Sequence, residues 1–145
     1  MTTIAAILRH KGDEVITVAP ETTVPALARV LRERRIGAVL VTDPDDQLLG
    51  IVSERDIVTS LGSVGAITLE MTAAQLMTRV LSTIGPRDSV EQAMTLMTER
   101  RVRHLPVLDS GHIVGLVSIG DVVKARILDQ DQAVDHLRAY IAGTG

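Results

Sequence analysis

Apolar residues recur at i, i+3, i+4 and i+7 in two places: Val24, Leu27, Ala28 and Leu31, then Val90, Ala93, Met94 and Met97. That spacing puts each set on one face of a helix. Ahead of each helix a short apolar stretch, around residues 15–18 and 81–84, reads as a strand and ends at Pro20 or Pro86. After each helix come two apolar runs, 38–42 with 48–52 and 104–108 with 112–117, joined by turns rich in Asp, Pro and Gly. Each pair of runs predicts a hairpin. A second helix is predicted to begin near Asp56 and near Asp121. Local signals agree: Ser89 and Gln92 form a capping-box pair, Pro25 suits a first helical turn, and Arg34-Arg35 and Arg100-Arg101 sit where cations favour the last turn.

The two patterns are copies. Thr17-Val18-Ala19-Pro20 aligns with Thr83-Ile84-Gly85-Pro86 at an offset of 66 (83 − 17), and Ile36–Val41 aligns with Val102–Val107 at the same offset. Gly50 aligns with Gly115, one residue closer, and the lost residue falls in a turn, where length changes cost little. Each copy is therefore β-α-β-β-α. At about 55 residues, one copy alone holds a marginal core, and two packed together bury it. The expected fold class is α/β (α+β), with tandem repeats packed sheet to sheet about a pseudo-two-fold axis. The expected organisation is residues 1–61 as the first copy with an N-terminal helix on Ile4, Ile7 and Leu8, and 62–76 as a linker containing Gly62, Gly65 and a short helix ending at Met77. Residues 77–128 follow as the second copy and 129–145 as a helical tail. The tail carries Val134, Leu137 and Ile141 on one helical face, expected to pack on its own domain or on a second subunit.

Composition narrows the function classes. Of 145 residues 46% are apolar, yet there is no Phe or Trp and only one Tyr, so the core must be aliphatic. A net charge of −3 argues against a nucleic-acid binder, and base-stacking platforms are missing. Without cysteine there is no disulfide, no thiolate nucleophile and no Cys-ligated metal. No run approaches the length of a membrane span, and the basic residues Arg9, His10 and Lys11 follow the N-terminal apolar stretch, the reverse of a signal peptide. A soluble cytoplasmic protein is expected. His10, His104, His112 and His136 lack metal-ligand spacing, and neither a nucleophile elbow nor a phosphate-binding Walker loop is present. No metal and no catalytic residue are expected.

The chemistry that remains is a repeated G-x-x-S-x-x-D, GIVSERD at 50–56 and GLVSIGD at 115–121. Two readings fit it. Serine with an acid three residues on is a capping box, and glycine permits close backbone approach at a strand end. Equally, a strand running into a helix offers free N–H groups and partial positive charge to a phosphate. The serine can then donate to phosphate, the aspartate can accept from ribose hydroxyls, and Gly115 lets the backbone approach the ligand.

On Val15-Ile16-Thr17-Val18-Ala19-Pro20, GIVSERDIV at 50–58, RVRHLPVLD at 101–109 and GLVSIGDVV at 115–123, the chain resembles a stand-alone pair of cystathionine-β-synthase (CBS) domains, a Bateman module, from about residue 12 to 128. The resemblance implies a non-catalytic regulatory module, forming homodimers, that senses an adenosine ligand (AMP, ADP, ATP, NAD or S-adenosylmethionine) in clefts between its copies. It implies a first site of Ser53 and Asp56 with Val80, Leu81, Ser82, Thr83, Arg103, His104 and Pro106. The second would join Ser118 and Asp121 with Val15, Ile16, Thr17, Ile36, Gly37 and Ala38. The aspartates would hold ribose, the serines ribose or phosphate, and the leading strands the adenine edge. Arg103 and His104 have Gly37 and Ala38 as counterparts, so the first site is expected to favour a charged nucleotide, with Arg55 a second candidate for phosphate. The second is expected to take a less charged group, stay empty or receive cations from elsewhere. An unidentified effector protein would read the change. The alternative function is a structural dimerisation or scaffold module without a ligand.

Overall fold

The computed structural model describes residues 2–12, 15–80 and 82–144. In chain order its elements are α1 (Ile4–Lys11), β1 (Thr17–Val18), α2 (Val24–Arg34), β2 (Ala38–Thr42), β3 (Leu48–Ser53), α3 (Glu54–Val64), a 3-10 helix (Gly65–Glu70), α4 (Ala73–Leu76), β4 (Thr78–Arg79), α5 (Val90–Arg100), β5 (His104–Asp109), β6 (His112–Ser118) and α6 (Ile119–Thr144). This is a mixed α/β chain, and it divides into two units: Val15–Leu81, and Met1–Glu14 together with Ser82–Gly145.

In the first-repeat unit the strands lie in the order β1-β2-β3-β4. β1 runs parallel to β2, with Thr17 opposite Leu40, and the β2–β3 hairpin is antiparallel. β2 is buried throughout, as expected of a strand written Ala-Val-Leu-Val-Thr without polar alternation. α2 starts at Thr23, whose hydroxyl accepts from the Ala26 N–H at 3.4 Å, and carries Pro25 in its first turn. It buries Val24, Leu27 and Leu31 against Val39, Val41, Val52 and Ala73. Ala28 is exposed, while Val30 packs partly against this core. Arg34 lies in the last turn, but Arg35 is the C-cap, in the left-handed region at φ 54. Arg101 ends α5 the same way at φ 55.

The second-repeat unit has the β5–β6 hairpin, with His104 opposite Ser118. The strand predicted at 81–84 is reduced to one parallel bridge, Ile84 to Val107. Its two hydrogen bonds, Ile84 N–H to Pro106 O at 3.0 Å and Leu108 N–H to Ile84 O at 2.9 Å, hold it to β5. Leu81 lies outside the described residues. The predicted capping box opens α5: the Gln92 N–H donates to Ser89 Oγ at 3.1 Å and the Ser89 N–H to Gln92 Oε1 at 2.7 Å. Val90, Ala93 and Met97 are buried with Ile84, Leu105, Val107, Val117 and Val122.

The short leading helices are exchanged. α1 precedes the first repeat in the chain, yet Ile4 and Ile7 are buried in the core of the second. α4 precedes the second repeat, yet Ala73 is buried in the core of the first. The same bonds dock both. In one unit the Val90, Ile4 and Ala5 N–H groups donate to Thr2, Asp88 and Pro86 carbonyls; in the other the Val24, Ala73 and Ala74 N–H groups donate to Met71, Thr22 and Pro20 carbonyls. The expected linker is ordered. α3 runs through Gly62, and Thr68 of the 3-10 helix is fully buried, its hydroxyl 2.7 Å from Ser60 Oγ. The expected tail continues α6 as one helix of 26 residues.

Candidate functional site

Both copies of G-x-x-S-x-x-D form a strand-to-helix corner. In the first, the Ser53 N–H donates to Asp56 Oδ2 at 2.8 Å, the Ser53 hydroxyl donates to the same oxygen at 3.1 Å, and the Asp56 N–H donates to Ser53 Oγ at 3.3 Å. In the second, the Ser118 N–H donates to Asp121 Oδ2 at 2.9 Å and the Asp121 N–H to Ser118 Oγ at 3.1 Å. Both are capping boxes. Each commits only one carboxylate oxygen: among the described residues, Asp56 Oδ1 and Asp121 Oδ1 accept no hydrogen bond. A carboxylate has lone pairs for both tasks, so capping and ligand binding are compatible at one residue.

The glycines serve packing. A Cβ on Gly115 would stand 2.5 Å from Leu8 Cδ2, and one on Gly50 would stand 2.7 Å from Met77 Sδ and 2.8 Å from Thr78 O. Leu8 of α1 and Met77, the C-cap of α4, therefore fill the space over the two glycines. This corrects the expectation that Gly115 gives a ligand access to the backbone: Leu8 occupies that side.

The corners differ in charge. Lys11, the last residue of α1, donates to Asp121 Oδ2 at 2.8 Å and to Leu116 O at 3.0 Å. Burial pushes the Asp121 carboxyl up, but the hydrogen bonds from Lys11 and Ser118 and the Lys11 charge outweigh it and hold the group below the usual carboxylate range. Lys11 was not among the candidates read from the sequence. It lies outside the repeat, and only the docking of α1 on the second repeat brings it to Asp121. A signal existed in the match of Thr3 with Thr72, at an offset of 69 (72 − 3), which aligns Leu8 with Met77.

The other candidates fall at the same sheet ends. In the first-repeat unit Ala38 is paired with Ser53, the Gly37 carbonyl accepts from the Glu54 N–H at 3.0 Å, and the Ile16 carbonyl accepts from Leu40 at 3.4 Å. Val15, Thr17 and Ile36 flank these; Val80 is the exception, because β4 pairs Thr78 with Ile51 and Arg79 with Gly50 and so carries Val80 away from Ser53. In the second-repeat unit His104 is paired with Ser118, the Arg103 carbonyl accepts from the Ile119 N–H at 2.8 Å, and Pro106 is buried in β5. Ser82 and the exposed Thr83 precede Ile84. Arg55 and Arg103 are exposed. Among the described residues no group of three or more His, Asp or Glu gathers as a metal site, and no helix is long and apolar enough to cross a membrane.

Each strand-to-helix corner lies within a stretch that matches one protein family. The CBS domain family matches residues 5–63 and again 73–128. The chain belongs to the CBS domain family. Among its CBS relatives is the mitochondrial CBS domain-containing protein CBSX3 of Arabidopsis thaliana, 33% identical over 98% of this chain and 73% of the relative. A solved CBS-domain protein of Agrobacterium tumefaciens, ATU1752, is 40% identical over 86% of this chain and 99% of that one, with a TM-score of 0.82. The CBS domain protein PAE2072 of Pyrobaculum aerophilum, solved as a complex with AMP, is 24% identical over 83% of this chain and 89% of its own, with a TM-score of 0.73; it shares the fold. The CBS matches cover both repeats, so the chain is a tandem CBS pair.

Proposed function

We propose that this CBS pair is a non-catalytic, cytoplasmic regulatory module, homodimeric, that binds an adenine nucleotide (AMP, ADP, ATP or an NAD-type ligand) at its two strand-to-helix corners. The observation that carries the reading is the half-used carboxylate at both corners. Oδ2 of each aspartate is fixed by the cap and Oδ1 accepts no hydrogen bond among the described residues, which suits the paired hydroxyls of a ribose. The adjoining helix N-termini suit phosphate. Arg55 and Arg103 are exposed, their guanidinium groups without a hydrogen bond or ion pair among the described residues, and Arg–phosphate bonds are about twice as strong as neutral ones. That Pyrobaculum PAE2072 holds AMP on the same fold supports the choice of ligand. The remaining candidates, Val15, Ile16, Thr17, Ile36, Gly37, Ala38, Val80, Leu81, Ser82, Thr83, His104 and Pro106, keep the roles that the family resemblance gives them.

A second reading, a scaffold without a ligand, is favoured by the exposed aliphatic residues of α3 and the 3-10 helix, where Val58 is 66% and Ile67 58% exposed. Thermal unfolding with AMP, ADP, ATP, NAD and S-adenosylmethionine separates the two. Nucleotide binding predicts a raised melting temperature, corresponding to about 2.7 kcal/mol when ligand is at a hundred times its dissociation constant. Silence toward the whole series at millimolar concentration establishes the scaffold.

A further inference from the structure

α6 has two apolar faces. Val122 and Ala125 point into the core of the second-repeat unit, and Asp129 accepts from the Thr2 N–H at 3.3 Å on the same side. The other face is exposed: Val123 is 41%, Ile127 51%, Val134 46%, Leu137 60% and Ile141 60% exposed. Residues 123, 127, 130, 134, 137 and 141 are spaced by alternating steps of four and three, a heptad seam with Gln130 as its one polar position. A seam of this period is what a helix presents to another helix of the same kind, and it extends past the last residue of α6 that packs into the core, Ala125.

We infer that the exposed face of α6 is a coiled-coil seam for α6 of a second copy of this chain, in parallel register. Charge selects both the partner and the direction. Lys124, Asp131 and Arg138 flank one side of the seam, and Arg126, Ala133 and Tyr140 the other. In a parallel pair Arg126 of each helix comes opposite Asp131 of the other, and no like charges meet across the seam. In an antiparallel pair centred on the same stretch, Lys124 faces Arg138 and Asp131 faces Asp131, which is repulsive. Arg126 already bonds Glu91 of its own unit, but its five donors can serve two carboxylates. Gln130 fixes the register, as a single polar seam residue does at some cost in stability.

The inference rests on the homodimer part of the reading above and is independent of the nucleotide. Because the chain has no cysteine, a single Leu137→Cys reports on the seam without background. In the full-length protein under a mild oxidant, Leu137→Cys links to itself faster than Gln132→Cys, which lies on the opposite side of the helix. A mixture of Ile127→Cys and Leu137→Cys chains that prefers the mixed product contradicts the parallel register. Sedimentation of the Val134→Asp/Leu137→Asp protein, at exposed positions that leave the unit's own core intact, shows a dimer dissociation constant raised at least about tenfold. A dimer indifferent to these aspartates overturns the seam alone. A wild-type chain that sediments as a monomer overturns the homodimer reading with it, and leaves the thermal response to nucleotides untouched.

Discussion

At Asp121 burial and hydrogen bonding act in opposite directions, and hydrogen bonding wins. A carboxyl with a lowered folded-state pKa contributes stability that is fully present above its unfolded value, near 3.9, and is lost as pH falls through the folded value. Lys11→Met removes the main source of that lowering. The variant should be less stable than the wild type at neutral pH by about 0.5–1 kcal/mol, since the pair is partly solvated, and the gap should close below about pH 4. Urea unfolding of both proteins between neutral and acid pH measures it. The glycines give a second test. Gly50→Ala pushes against the Thr78 carbonyl as well as the Met77 side chain and should cost about 1–3 kcal/mol. At Gly115→Ala the three nearest atoms all belong to the Leu8 side chain, which can turn, and the cost should be less. Capping and close approach at these corners were legible in the sequence because Ser, Asp and Gly have few other uses at a strand-to-helix turn. What fills the space over Gly115 was not, since Leu8 and Gly115 are far apart in the chain.

The exchanged helices make the same point about elements. Hairpins, long helices and their caps follow from local periodicity, and both hairpins formed within a residue of their predicted bounds. α1 and α4 are too short to be stable by themselves, so their positions depend on which core accepts their apolar side. That information is distributed: Ile4 and Ile7 meet Ile84, Val90 and Leu105. β4 was missed for a related reason, because two residues, Thr78 and Arg79, paired with Ile51 and Gly50 carry no periodic signal. The exchange predicts that Ile4→Ala, at a fully buried site, costs about 2–5 kcal/mol. The loss should appear as faster amide hydrogen exchange in residues 84–125, beyond the repeat that follows Ile4 in sequence. Faster exchange confined to residues 17–64 would contradict the docking of α1.

Across the molecule, the repeat offset made the tandem CBS architecture readable, and the family match at 5–63 and 73–128 agrees with it. The unequal cations of the two corners were only half visible. Arg103, aligned with Gly37, is a difference between the copies and lies beside Ser118 in the second-repeat unit, whereas Lys11, which the repeat does not show, reaches Asp121 of the same unit only through the exchanged helix. Arg103→Ala should therefore weaken phosphate-rich ligands more than adenosine, by about 1.5–3 kcal/mol, as read by competition binding; equal losses for both would remove its phosphate role. The central claim is that Asp56 and Asp121 hold a ribose while capping their helices. Asparagine keeps a capping oxygen but replaces the other acceptor with a donor. Calorimetric titration of AMP into the wild type, Asp56→Asn, Asp121→Asn and the double variant, all first shown to be folded by cooperative thermal unfolding above the titration temperature, tests it most directly. The account predicts AMP binding by the wild type that each single substitution weakens and the double substitution abolishes; a double variant that binds AMP as tightly as the wild type would contradict it.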